Sequence, residues 1–91
     1  MMKAIWKYPL IPPTYNCRVE MPIGSTIVDV REQNDQVNMW AEVDTDAADM
    51  EIRTFAVFGT GHILPNRGLK YVGTAHLFHG ELVMHVFEVT A

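Results

Sequence analysis

Cysteine occurs once in the 91 residues, at Cys17. A single thiol excludes an internal disulfide framework and a multi-cysteine zinc site. Basic side chains are also few. The 7 Lys and Arg stand against 11 Asp and Glu, a formal charge of -4, which removes the basic footprint that sequence-independent nucleic-acid binding needs. No apolar run approaches the roughly 18 residues of a membrane-spanning helix. Lys3 is followed at once by Ile5, Trp6, Tyr8 and Pro9, not by the long apolar stretch and cleavage site of a signal peptide, so a cytoplasmic location is expected. Repeats, linkers and low-complexity segments are missing too, and residues 1–91 read as a single β domain. What is present is ordinary globular composition, 48% hydrophobic and 20% charged, which argues against disorder. A chain this short buries a modest share of its surface, so association between copies would help it.

Glycine, proline and Asx residues punctuate the chain often and leave short segments between them. Alternation and β-branched or aromatic content predict strands over residues 3–10, 16–20, 26–33, 36–43, 50–58, 69–78 and 81–89. Pro9, Pro12 and Pro13 make a stiff connection after the first. The run Met21-Pro22-Ile23-Gly24-Ser25 is a turn, since proline presets one backbone angle and glycine tolerates a positive one. Asn34-Asp35 and His79-Gly80 fit tight hairpin loops. The acidic stretch 44–49 is long enough for one helical turn and too short for a stable helix. Seven short strands without a helix predict an all-β fold, a small antiparallel β-sandwich or barrel.

Each hairpin loop fixes which residues share a face. With Asn34-Asp35 as the loop, Val28, Val30, Val37, Met39, Ala41 and Val43 form a core face. Asp29, Arg31, Asn38, Trp40 and Glu42, with Ile27, lie opposite. With His79-Gly80 as the loop, Tyr71, Ala75, Leu77, Leu82, Met84 and Val86 are the core face. The other face mixes Val72, Thr74, His76, Phe78, Glu81, Val83, His85 and Phe87. A sheet apolar on both faces is usually covered on both, by subunit packing or by barrel closure. Trp6 and Tyr8 share a face of the first strand, for which a core role is the default.

The chemistry-bearing groups are scattered. His76 and His85 are diagonal neighbours, and with Glu81 they form a loose metal-ligand set; hydrogen bonding at a half-buried surface explains them better. Gly59-Thr60-Gly61-His62 follows a strand, and its glycines and free N–H groups suit close approach to a phosphate. It lacks the lysine and the following helix of a P-loop, and a turn that needs glycine geometry accounts for it better. Cys17 has no adjacent histidine to activate it. The paired carboxylates Asp44 and Asp46 belong to an acidic loop rather than to acid–base work. No cofactor motif and no complete catalytic constellation are present, so the protein is expected not to be an enzyme.

Several segments together carry a resemblance that spans nearly the whole chain. Lys3-Ala4-Ile5-Trp6-Lys7-Tyr8-Pro9-Leu10, Val19-Glu20-Met21-Pro22 with Gly24, Trp40-Ala41 with Val43-Asp44, and Arg53-Thr54-Phe55 belong to it. Gly59-Thr60-Gly61-His62, Tyr71-Val72-Gly73-Thr74 and His85-Val86-Phe87-Glu88 complete the pattern. It resembles a small family encoded mainly by bacteriophages and prophages, whose members are described as proteins of unknown function. The resemblance implies a phage origin and an accessory role in the host cytoplasm, without supplying a mechanism. Small phage accessory proteins act by binding more often than by catalysis, an analogy of genome context.

Two readings of function follow. In the first, a small homo-oligomer acts in counter-defence by sequestering a nucleotide-type signalling molecule. Gly59, Thr60, Gly61 and His62 line its pocket, Arg53 or Arg67 neutralises phosphate, and Trp40 joins if subunits share the site. Net acidity does not forbid an anionic ligand, because a local pocket sets the field. In the second, the chain is a protein–protein module that inhibits a host protein through an acidic, aromatic surface. That reading gains if Asp29, Glu32, Asp35, Glu42, Asp44, Asp46 and Asp49 form one patch and loses if they scatter. A small hydrolase using His62 or His76 as base, and a minor virion component, are the remaining alternatives.

Overall fold

A computed structural model describes residues 1–11 and 14–90. Seven antiparallel strands form two sheets: β1 (Lys3–Pro9), β2 (Cys17–Pro22), β3 (Thr26–Gln33), β4 (Gln36–Asp44), β5 (Met50–Gly59), β6 (Leu69–Leu77) and β7 (Leu82–Val89). The first sheet has the order β1-β4-β3 and the second β2-β5-β7-β6. The sheets are open and stacked, so the fold is a sandwich and not a closed barrel. Asp44 ends β4, and the rest of the acidic stretch, 45–49, is a turn and irregular chain with no helical turn. Of the proline connection expected after β1, Pro12 and Pro13 lie outside the described residues. No helix among the described residues is long and apolar enough to cross a membrane.

Alternation along the strands builds the core between the sheets. Met39, Ala41 and Val43 of β4 face Met21 of β2, Phe55 of β5 and Val86 of β7, all essentially buried. Asn34 and Asp35 both adopt positive φ, the geometry of a two-residue hairpin loop that Asx side chains tolerate. Gln33 pairs with Gln36 and Asp29 with Trp40, the register expected from that loop. At the other hairpin Leu77 pairs with Leu82 across a 3-10 turn over Phe78–Gly80.

Both registers then slip by one residue, and each slip corrects an expected face. A bulge at Val28 lets Thr26 pair with Glu42 and Ile27 with Ala41. Ile27 therefore packs on the core, and Val28 is turned out, 50% exposed. A second bulge at Val72 pairs Tyr71 with Phe87 and Gly73 with Val86. Val72 packs on the core and Tyr71 stands on the outer face, 57% exposed. One extra residue in a strand reverses the side on which every later residue emerges. Trp6 is the third correction. It shares the inward side with Tyr8, but β1 is an edge strand, and the indole remains 41% exposed while Tyr8 packs on the core.

Candidate functional site

The outer face of the four-stranded sheet carries two rows of side chains that meet at Tyr71. The aromatic row runs from Tyr71 to Phe87, with ring centroids 5.6 Å apart and edge-to-face, then to Phe58 at 5.9 Å and Tyr15 at 5.1 Å. These spacings are those of favourable aromatic pairs. The polar row runs from the Tyr71 hydroxyl to Thr74 Oγ1 at 2.5 Å, from Thr74 Oγ1 to His85 Nδ1 at 3.2 Å, and from His85 Nε2 to Thr60 Oγ1 at 2.7 Å. Cross-strand pairing sets both rows, since Tyr71 faces Phe87, Thr74 faces His85 and His85 faces Phe58. Both imidazole nitrogens are held by hydroxyls, which donate or accept as the tautomer requires. The ring is fixed in place and offers no unpaired nitrogen.

Tyr71 also lines a hollow of about 280 Å³ where the β2–β3 turn meets the start of β6. The hollow holds Arg53, Lys70 and Glu88, with Ser25 and Thr26 at its side. Arg53 and Glu88 form a two-pronged ion pair, Nε to Oε2 at 2.7 Å and Nη2 to Oε1 at 2.8 Å, and Arg53 Nη1 donates to the Ser25 carbonyl. The bond to Glu88 raises the Arg53 pKa above its ordinary value and keeps the guanidinium charged. Of the charged side chains that line it, two are cations and one is a carboxylate, and the Glu51 carboxylate also acts on Arg53. Both bulges border it, through Ile27 and Val72, in keeping with the tendency of bulges to re-aim side chains beside sites.

The residues singled out in the sequence do not converge in one chain. Gly59, Thr60, Gly61 and His62 sit together at the end of β5, beside a hollow of about 190 Å³ that also touches His85, Phe58, Phe87 and Leu64. Their N–H groups are not the open cradle expected. Gly59 N–H donates to His62 Nδ1, Thr60 N–H to the Val83 carbonyl and His62 N–H to the Gly59 carbonyl. The glycines are explained by the turn. Gly61 has φ +88°, and a side chain on Gly59 would press on the His62 ring at 3.1 Å. Arg53 lies six residues back along β5 with its guanidinium on Glu88. Arg67 is exposed in the loop before β6. Trp40 is half-buried on the outer face of the other sheet, paired with Lys7 and Asp29 beside Ile5 and Val28.

Tyr71, expected on the core face, and Lys70 are the residues of this region that were not among the sequence-predicted site residues. The signal that bears on Tyr71 was Gly73, since a glycine inside a strand marks a bulge or a close approach. No group of three His, Cys, Asp or Glu side chains gathers as a metal site among the described residues.

Searches of curated proteins and of solved structures each return no match to this chain. One protein-family model, described as a domain of unknown function (DUF7352), matches residues 1–91, and with that match spanning the full length the chain belongs to the DUF7352 family.

Proposed function

We propose that this protein binds and sequesters a nucleotide-type small molecule without transforming it. The anionic part of the ligand sits at the Arg53–Lys70 hollow, and its heteroaromatic ring packs against Tyr71. The observation that carries this reading is the position of Tyr71, an exposed aromatic ring shared by a cationic hollow and an aromatic, hydroxyl-lined face. A planar, hydrogen-bonding ligand with a negative group fits such a juxtaposition. The phosphate site moves from Gly59–His62, whose N–H groups are largely engaged, to Lys70, which is exposed beside Arg53. On the resemblance of its signature segments to phage proteins, the setting we attach is counter-defence in a host cytoplasm, with the chain acting as a small homo-oligomer.

The acidic-surface alternative has less support. Glu32 and Asp35 lie at the β3–β4 hairpin, whereas Asp44, Asp46 and Asp49 lie at the far end of the nine-residue β4, about 25 Å away at strand rise. Asp29 and Glu42 are paired with Arg31 and Lys3.

Native mass spectrometry of gently purified protein, followed by calorimetric titration with cyclic nucleotides and ADP-ribose derivatives, tests the proposal. Bound nucleotide-size mass, or saturable heat that weakens at least about fivefold in Lys70→Ala and in Tyr71→Ala, supports it. Bare protein with no heat from any of these ligands rejects it.

A further inference from the structure

A second cavity, of about 300 Å³, lies between the two sheets at the hairpin end, opposite the Arg53 hollow. Its chemistry is the reverse of that hollow. Val37, Val57 and Leu77 form a buried floor, and Leu82 and Ile11, 41% and 65% exposed, form the rim. The polar side chains that reach it are Thr14 and Gln36, both neutral, and none of the described residues that line it is charged.

The walls are tied in place by backbone bonds on both sides. Leu10 N–H donates to the Val37 carbonyl of the first sheet, and Val57 N–H of the second donates to the Thr14 carbonyl. Leu10 is thereby fixed to the first sheet and Thr14 to the second, so these two walls of the cavity are in place before any ligand enters.

We propose that this cavity is a binding site for a short uncharged alkyl chain. Size and charge both point to that occupant. A dry apolar cavity of about 150 Å³ takes up a molecule the size of benzene, and this one has about twice that space, at the lower end of the range for small-molecule pockets. An ionic group has no partner on the floor, and burying it unpaired is strongly unfavourable. A polar end group remains at the rim, within reach of Thr14 and Gln36. The site is independent of the nucleotide reading, because it shares no residue with the Arg53 hollow.

The test uses the intact chain and the straight-chain alcohols from hexanol to decanol, competing against the neutral fluorophore N-phenyl-1-naphthylamine. Affinity should rise about fourfold per added methylene until the cavity is full and then level off. Leu82→Glu, a charge placed on an exposed rim position, should weaken fluorophore binding at least about tenfold while leaving the melting curve of the free protein nearly unchanged. Methyl NMR should place the ligand shifts on Val37, Val57 and Leu77. Absence of saturable binding, an affinity independent of chain length, or shifts confined to Ile5 and Val28 or to the Tyr71 face would each overturn the proposal. Loss of nucleotide binding in the titrations above would leave this result untouched, so the two readings fail separately.

Discussion

Val30 of the three-stranded sheet lies directly against the bare α-carbon of Gly73 in the four-stranded sheet. A Cβ built on Gly73 would stand 2.8 Å from Val30 Cβ and 2.9 Å from its Cγ2. Val30 Cβ is fixed to its backbone, so rotating the Val30 side chain can move Cγ2 away but cannot relieve the closer approach. The contact joins β3 to β6 at the corner of the sandwich, next to the Val72 bulge. Gly73→Ala should destabilise the protein by about 1–3 kcal/mol through overpacking, read as a fall in Tm of roughly 5–20 °C for a domain this small. Val30→Ala alone should also destabilise by opening a void. The double variant should lose clearly less than the sum of the two, because the same space is involved. Additive losses in thermal melts would show that the sheets do not meet here.

The Arg53–Glu88 pair is the second long-range tie, spanning 35 residues, with side chains only 18% and 19% exposed. Arg53 also holds the Ser25 carbonyl of the β2–β3 turn. Arg53→Ala leaves the Glu88 carboxylate half-sequestered and without its partner. A loss of about 3 kcal/mol is expected, the low end for a broken buried pair since neither group is fully enclosed. Replacing both residues, Arg53→Met with Glu88→Leu, should recover most of it. Chemical denaturation of the three variants checks this, and a single-variant loss below about 1 kcal/mol would place the pair with ordinary surface bridges.

These two contacts mark where the sequence stops being legible. Turn chemistry at Asn34-Asp35 and His79-Gly80 is local, and it set the register of both hairpins near their loops. Beyond the bulges the expected faces inverted, and the two cases differ. Gly73 announces the second bulge, whereas nothing in Thr26-Ile27-Val28-Asp29 announces the first. Tyr71 was accordingly placed in the core when it is the most exposed ring of the candidate site. The role of Arg53 depends on Glu88, and no spacing rule links residues 35 apart. Trp6 reads as core on alternation alone, and only the edge position of β1, fixed by its non-local pairing with β4, uncovers it. Gly59-Thr60-Gly61-His62 was legible as a turn but not as one whose N–H groups are internally bonded.

Tyr8 carries a local conflict. Its hydroxyl is buried with no hydrogen-bond partner among the described residues, and burial raises its pKa above the ordinary tyrosine value. A buried unpaired hydroxyl destabilises the folded state by up to a few kcal/mol. Tyr8→Phe removes that hydroxyl and keeps the ring, so the Tm should hold or rise by several degrees, equivalent to about 1 kcal/mol. A drop of comparable size would reveal a hydrogen bond to water or to another molecule at that oxygen.

Cys17 gives the alkaline edge of stability. The thiol is buried, donates toward the Ile11 and Thr14 carbonyls, and has its pKa raised by desolvation. A folded pKa above the unfolded one means that the unfolded chain releases this proton first as pH rises. Above about pH 8.5 the unfolded state therefore binds fewer protons, and stability declines until the folded pKa is passed; below that point the contribution is constant. Tyr8 acts in the same direction at higher pH. Stability measured by urea titration should thus be flat from pH 7 to 8 and fall by pH 10, and Cys17→Ala should show a shallower fall from a lower starting value. The same burial controls reactivity, because the thiolate is the attacking species. At pH 8 a disulfide reagent should modify the native protein at least about a hundredfold more slowly than the urea-unfolded chain. Native modification at the unfolded rate would mean that Cys17 opens to solvent far more easily than its buried place at the start of β2 allows.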